Sequence, residues 1–187
     1  WETLLLTAPD LCGPWQSHGL VLKNDNDYDA AQARDATIDI VDGRWTCIYK
    51  AKDEKRDERP ALATSLDGLT WTKHGPLSID GRDAVAFLSG SIVAAPTGPV
   101  FMGLQTKLDD SREAKDDVTY ADEHKIGHGG GPPPRFFARR LDTAAMNLET
   151  IFETEWEPRS PYEHLEHPLL GYASMVYDPD RLRVLWY

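Results

Sequence analysis

Thr64-Ser65-Leu66-Asp67-Gly68-Leu69-Thr70-Trp71-Thr72-Lys73-His74-Gly75-Pro76-Leu77 repeats the plan of an earlier passage, Thr7-Ala8-Pro9-Asp10-Leu11-Cys12-Gly13-Pro14-Trp15-Gln16-Ser17-His18-Gly19-Leu20. Each copy leads from a short apolar strand through an Asp/Gly turn to a Trp, and His-Gly follows three residues after that Trp. The two tryptophans are 56 residues apart. A unit of short strands recurring at about 40–50 residues or a little more is the sequence signature of a β-propeller blade.

Working outward, residues 36–41 alternate apolar and polar positions, Asp42-Gly43 follows, and Trp45 to Tyr49 is again β-rich. Asp-Gly between two such runs is a strong hairpin signal. A charged loop is expected over Lys50 to Arg59, then strands over 61–65 and 70–73, which completes a four-stranded blade. The next blade has inner strands at 89–95 and 100–104 and outer strands at 135–139 and 148–152, with a third inner pair at 172–177 and 182–187. Residues 3–7 and 15–22 supply the outer half of an earlier blade. The expected division is therefore 1–22 as outer strands, 35–77 as a full blade, 84–157 as a full blade with an insertion at 105–134, and 165–187 as inner strands. Two blades and two halves do not close a ring. The expectation is an incomplete piece of a propeller that associates with itself through open strand edges.

The insertion ends in Gly127-His128-Gly129-Gly130-Gly131-Pro132-Pro133-Pro134. No Lys-Ser/Thr follows the glycines and three prolines remove backbone donors, so this is not a phosphate loop. It reads as a surface excursion or part of a substrate rim.

Of the 187 residues 41% are hydrophobic and 27% charged, the composition of a globular domain with a sizeable core. No apolar run approaches the eighteen residues a membrane-spanning helix needs, and membrane partners are not expected. A net charge of −11 argues against nucleic acid, which needs a clustered cationic footprint, and favours neutral ligands. Cys12 and Cys47 are too few for a disulfide scaffold and read as buried free thiols. His124 with His128, or His164 with His167, could be read as metal ligands, but no HExxH or cysteine partner supports them. No metal or other cofactor is expected.

In blade topology the segment entering the first strand and the loop from the second to the third share one face, and the first strand lies innermost. Asp35 and Glu166 both precede inner strands. Two converging carboxyl groups are what glycoside hydrolysis needs, one to protonate the leaving oxygen and one to activate water or attack the sugar. The alternative is structural, with Arg34-Asp35 capping a turn and Glu166 a solvated loop residue or a partner of Arg34.

Ala33-Arg34-Asp35-Ala36-Thr37-Ile38, the strand-turn-strand after it, and Ser65 to Trp71 resemble the five-bladed propeller glycoside hydrolases of families 43 and 32. Ser89-Gly90-Ser91-Ile92-Val93 is similar to the Ser-Gly-Ser strand of family 32, and Leu165-Glu166-His167-Pro168 to a Glu-x-Pro element of related propellers. The resemblance implies an all-β, five-bladed propeller of four-stranded antiparallel blades and a glycosidase acting on a carbohydrate substrate. Asp35 and Glu166 would be the catalytic carboxyls, with Arg34, Asp83 and His167 binding substrate or, for Arg34, holding Asp35 ionised. The chain departs from the pattern where Ala36 stands in place of the usual Pro, and where the second blade's inner strand opens with Ser89-Gly90 rather than Asp. Asp83 could substitute there only if its loop folds back. Two other readings stay open: a non-catalytic propeller binding glycans or proteins, and an Asp-box enzyme such as a sialidase. The copy at Ser65 to Trp71 is one residue short of that box, and no trio is evident among Arg34, Arg56, Arg59 and Arg82.

Overall fold

The computed structural model describes residues 1–55, 57–83, 85–109, 135–153, 173–178 and 181–186. Strands dominate them, and the chain divides into two compact units, Trp1–Leu77 and Ser78–Tyr187. No described helix is long and apolar enough to cross a membrane.

The first unit opens with an antiparallel hairpin of β1 (Thr3–Thr7) and β2 (Gln16–Leu22). A short 3-10 turn at Asp27–Asp29 leads into a four-stranded antiparallel sheet. Its strands β3 (Gln32–Val41), β4 (Arg44–Lys52), β5 (Glu58–Ser65) and β6 (Thr72–Pro76) lie in sequence order, which is the meander of a propeller blade. Asp42 and Gly43 both take positive φ, 49° and 73°, so the β3–β4 turn has the left-handed pair that matches strand twist. Of the charged segment expected as a loop from Lys50 to Arg59, the first three residues belong to β4 and the last two to β5. Lys50 pairs with Arg34 on one side and Pro60 on the other, because the backbone ladder continues regardless of side-chain charge.

One face of this sheet packs Ala33, Cys47, Tyr49, Ala51, Ala61 and Ala63 against Leu22, with Tyr28, Ala36 and Trp71 at the margin. Small side chains dominate the sheet's contribution. Burial pushes the Cys47 thiol up to about 12, so this cysteine is an inert core residue. Cys12 differs from expectation: it sits exposed in the β1–β2 turn as a free thiol. Asp29 is fully buried, accepts a hydrogen bond from the Tyr49 hydroxyl at 3.1 Å and meets Lys73 Nζ at 2.6 Å. Burial works against the Lys73 ammonium, but its hydrogen bonds to Asp25 and Asp29 outweigh that and raise its pKa.

The repeated passage repeats in three dimensions. Thr7 Oγ1 bonds His18 Nε2 at 2.7 Å, and Thr64 Oγ1 bonds His74 Nε2 at 2.8 Å. In the second copy the Asp67 carboxylate accepts from the backbone N–H of Leu69 and Thr70 at 2.8 and 2.7 Å and from Ser65 Oγ at 2.8 Å. The Trp71 indole N–H donates to the Gly68 carbonyl at 3.0 Å. Although one residue short of an Asp-box, the turn is organised by its Asp in the same spirit, as a local structural device.

The second unit carries a sheet of β7 (Ser78–Ile79), β8 (Val85–Ala95), β9 (Gly98–Asp109), β10 (Arg135–Asp142) and β11 (Asn147–Glu153). Strands β8 to β11 form an antiparallel meander, and the two-residue β7 adds to the outer edge parallel to β11. A separate antiparallel pair follows, β12 (Ala173–Asp178) with β13 (Arg181–Trp186). A side chain at Gly90 would run into the Met102 carbonyl, and its register partner is Gly103, which explains the Ser-Gly-Ser run by close backbone approach. Two expectations change here. Gln105 belongs to strand β9 and is buried, its side-chain oxygen accepting from Arg139 Nη2 at 2.6 Å, so the excursion does not start there. Arg139, itself buried, lies over the Phe137 ring and donates to Thr150 through Nε. Strand β8 also begins four residues before Ser89, which removes any need for a folded-back loop at Asp83.

The Asp67 turn makes two predictions. Its hydrogen bonds lower the Asp67 carboxyl to about 2, below the ordinary unfolded value near 3.9, so the unfolded chain binds more protons between those values. The stability this turn supplies is present above about pH 4 and lost as pH falls towards about 2. Acid unfolding of Asp67→Asn should lack that part of the slope seen in the parent. Gly68 has φ +74°, and a Cβ there would lie 3.2 Å from the Trp45 ring, so Gly68→Ala should cost roughly 1–2 kcal/mol, read from denaturant melts.

Candidate functional site

Asp35 was expected just ahead of the inner strand; it lies inside β3. The β3–β4 register runs Arg34 opposite Lys50 and then Thr37 opposite Ile48, so Asp35 and Ala36 together face Tyr49. This is a β-bulge, and its first residue, Asp35, has φ 53°. Bulges of this kind usually place glycine at that left-handed position. Asp tolerates it better than most residues do, but not without cost.

The bulge delivers the Asp35 carboxylate to Lys50, whose Nζ donates to Oδ2 at 2.7 Å. The Lys50 side chain is only 4% exposed, whereas that of Asp35 is 35% exposed. A buried cation thus clamps one oxygen of a carboxylate that stays open to solvent. Burial pushes the Lys50 ammonium below its ordinary pKa, while Asp35 and then Glu58 oppose that shift. Arg34, expected as the partner of Asp35, keeps Nε 3.9 Å from the same oxygen and Nη2 4.0 Å from Glu58. Among the described residues its buried Nε has no hydrogen-bond partner, and its guanidinium lies 5.4 Å from the Trp1 ring centre. Lys52 pairs Glu58 at 3.0 Å and Arg59 lies 3.9 Å from Asp57. All these groups gather where β3 begins, β4 ends and β5 begins, so one end of the blade holds a nearly balanced charge cluster.

Lys50 is the residue that sequence reading missed. The available signal was alternation: in β4, Ile48, Lys50 and Lys52 share a face, and Arg34 sits opposite Lys50. Asp83 belongs to the second unit, exposed and two residues before β8. Glu166 and His167 lie outside the described residues, as do His124, His128 and His164. Among the described residues no three His, Cys, Asp or Glu side chains group as a metal site would require.

No protein-family model matches the chain, and no curated protein matches it in sequence. Solved structures do match in fold. A family 43 β-xylosidase/α-arabinofuranosidase from a compost microbial metagenome, solved with xylotriose in a calcium-free form, aligns over 95% of this chain with a TM-score of 0.63 and 16% identity. The β-xylosidase RS223 aligns over 82% at TM-score 0.52 and 13% identity, and a family 32 β-fructofuranosidase of Bombyx mori over 92% at 0.53 and 16%. The chain spans 56%, 47% and 33% of these three proteins. Its strands are β-propeller blades of the fold shared with the family 43 and family 32 glycoside hydrolases.

Proposed function

We propose that the intact protein is a glycoside hydrolase acting on neutral glycans with two carboxyl groups, Asp35 and Glu166. The observation that carries this reading is Asp35 itself. A solvent-open carboxylate held in a left-handed bulge by a buried lysine is an expensive local arrangement, and such arrangements cluster at functional sites. In the proposed reaction Glu166 gives its proton to the leaving glycosidic oxygen as that bond breaks. Asp35 either takes a proton from the attacking water or bonds to the anomeric carbon itself. Lys50 positions Asp35, and the remaining carboxylate oxygen faces the reaction. Arg34, Asp83 and His167 contact substrate. The corresponding organisation is residues 35–77 and 84–157 as full blades, with 165–187 supplying inner strands of the next. The propeller fold of the glycosidase neighbours supports this reading.

Asp35→Asn and Glu166→Gln in the intact protein should each lower kcat by orders of magnitude, because each keeps shape and removes a charge or a proton, and Asp35→Asn should also lower the melting temperature, since it leaves the buried Lys50 without its counter-charge. An aryl glycoside whose leaving group needs no protonation should partly rescue Glu166→Gln and not Asp35→Asn. Wild-type rates in both variants would discard the catalytic assignment in favour of a glycan-binding module. Lys50→Met fits the same buried space without the ammonium. It should reduce kcat about 100-fold while moving KM less than about threefold, since it releases a positioned group rather than a substrate contact. Its stability should change little, because the Asp35 carboxylate left behind is 35% exposed and can be hydrated.

A further inference from the structure

Gln32 and Arg34 occupy one face of β3, opposite Lys52 and Lys50 in register. Gln32 Oε1 and Arg34 Nε are both buried and both without a hydrogen-bond partner among the described residues. One is an acceptor and the other a donor. A buried polar atom left unpaired is costly, so two of opposite sense on one face define what would satisfy them together. A hydroxyl does this, donating to Gln32 Oε1 and accepting from Arg34 Nε. A carboxylate or phosphate does not, because it has no proton for the glutamine oxygen. The charges around the pair agree: Lys50, Lys52, Arg59 and Arg34 each have a carboxylate within 4.0 Å, so the cluster offers little uncompensated positive charge to an acidic sugar. Over Arg34 lies Trp1. Its carbonyl accepts from the Ala33 N–H at 2.8 Å, which fixes its backbone beside β3, while the residue remains 76% exposed and its ring rests on Arg34. That ring is held from one side by a cation and is otherwise open, so a ligand can shift it and then use its face.

We propose that Gln32 and Arg34 form a hydroxyl-reading subsite beside Asp35, with the Trp1 indole as the stacking surface for the apolar face of the sugar ring. This rests on the reading of Asp35 as a group that works on a neutral glycan. It assigns specificity to Gln32 and Trp1, neither of which carries reactive chemistry.

The test measures binding separately from turnover. In the intact protein carrying Asp35→Asn, calorimetry with neutral trisaccharides of xylose, arabinose, fructose and glucose identifies the one that binds. Adding Gln32→Met should weaken its Kd about tenfold. The melting temperature should stay equal or rise, because an unpartnered acceptor has been removed. Gln32→Glu, which keeps an acceptor, should recover most of the affinity, and Trp1→Ala should weaken binding in the same titration. An unchanged Kd in Gln32→Met, or a fall in melting temperature that accompanies the loss of affinity, would overturn the subsite, as would failure of every trisaccharide to bind. Neither Kd nor melting temperature depends on hydrolysis. A dead Asp35→Asn with an indifferent Gln32→Met therefore removes the subsite and leaves the hydrolase reading standing, whereas a fully active Asp35→Asn removes the hydrolase reading.

Discussion

The one-residue slip between β3 and β4 governs the first unit. In a regular strand, side-chain direction alternates strictly, so a single extra residue reverses every position beyond it. Ala33 before the slip and Ala36 after it both reach the alanine-rich core, which an unbroken strand could not achieve with residues three apart. The extra residue is Asp35. Because the bulge sits at that position, the carboxylate leaves the alternation altogether and turns to Lys50. Core packing and presentation of the Asp35 carboxylate are thus two results of one backbone irregularity.

The clamp and the core are supported from opposite faces of the same strand. Tyr49 points into the core and holds the buried Asp29, which also takes Lys73 from β6. Lys50, next in sequence, points the other way to Asp35. Strand β4 therefore carries two adjacent residues that each anchor an aspartate, one fully buried and one open to solvent. Losing Asp35 would leave Lys50 charged and unsolvated, which is costly. Consecutive residues bound in this way on both faces fix the rotation of β4 about its own axis, which in turn fixes the position of the Asp35 oxygens.

What could be read from the sequence was whatever depends on local backbone chemistry. Asp42-Gly43 names its own turn because only a left-handed pair fits there, and Ser65 to Trp71 names another because Asp67 satisfies its own neighbours' N–H groups. The repeated Thr and His were legible as a pattern, though not as the hydrogen bond they form. The bulge at Asp35 was hidden because nothing local demands it; it exists only relative to the partner strand. The same reason placed Lys50 and Gln105 in loops on the strength of their polarity. Both are buried in strands, one paired with a carboxylate and the other with a guanidinium. Polarity reports solvent only when no partner of opposite character waits across the ladder.

The same ladder determines how the groups around Asp35 are held. Asp35, Lys50, Gln32 and Arg34 lie on two neighbouring strands of one sheet, so their mutual geometry follows from hydrogen-bonded register rather than from loop conformation. Groups built on strands hold position more precisely than groups on loops, and the fit needed for acid–base chemistry is tight. Within the first unit the candidate site is therefore held by the sheet itself, with the Trp1 ring resting on Arg34 at its exposed side.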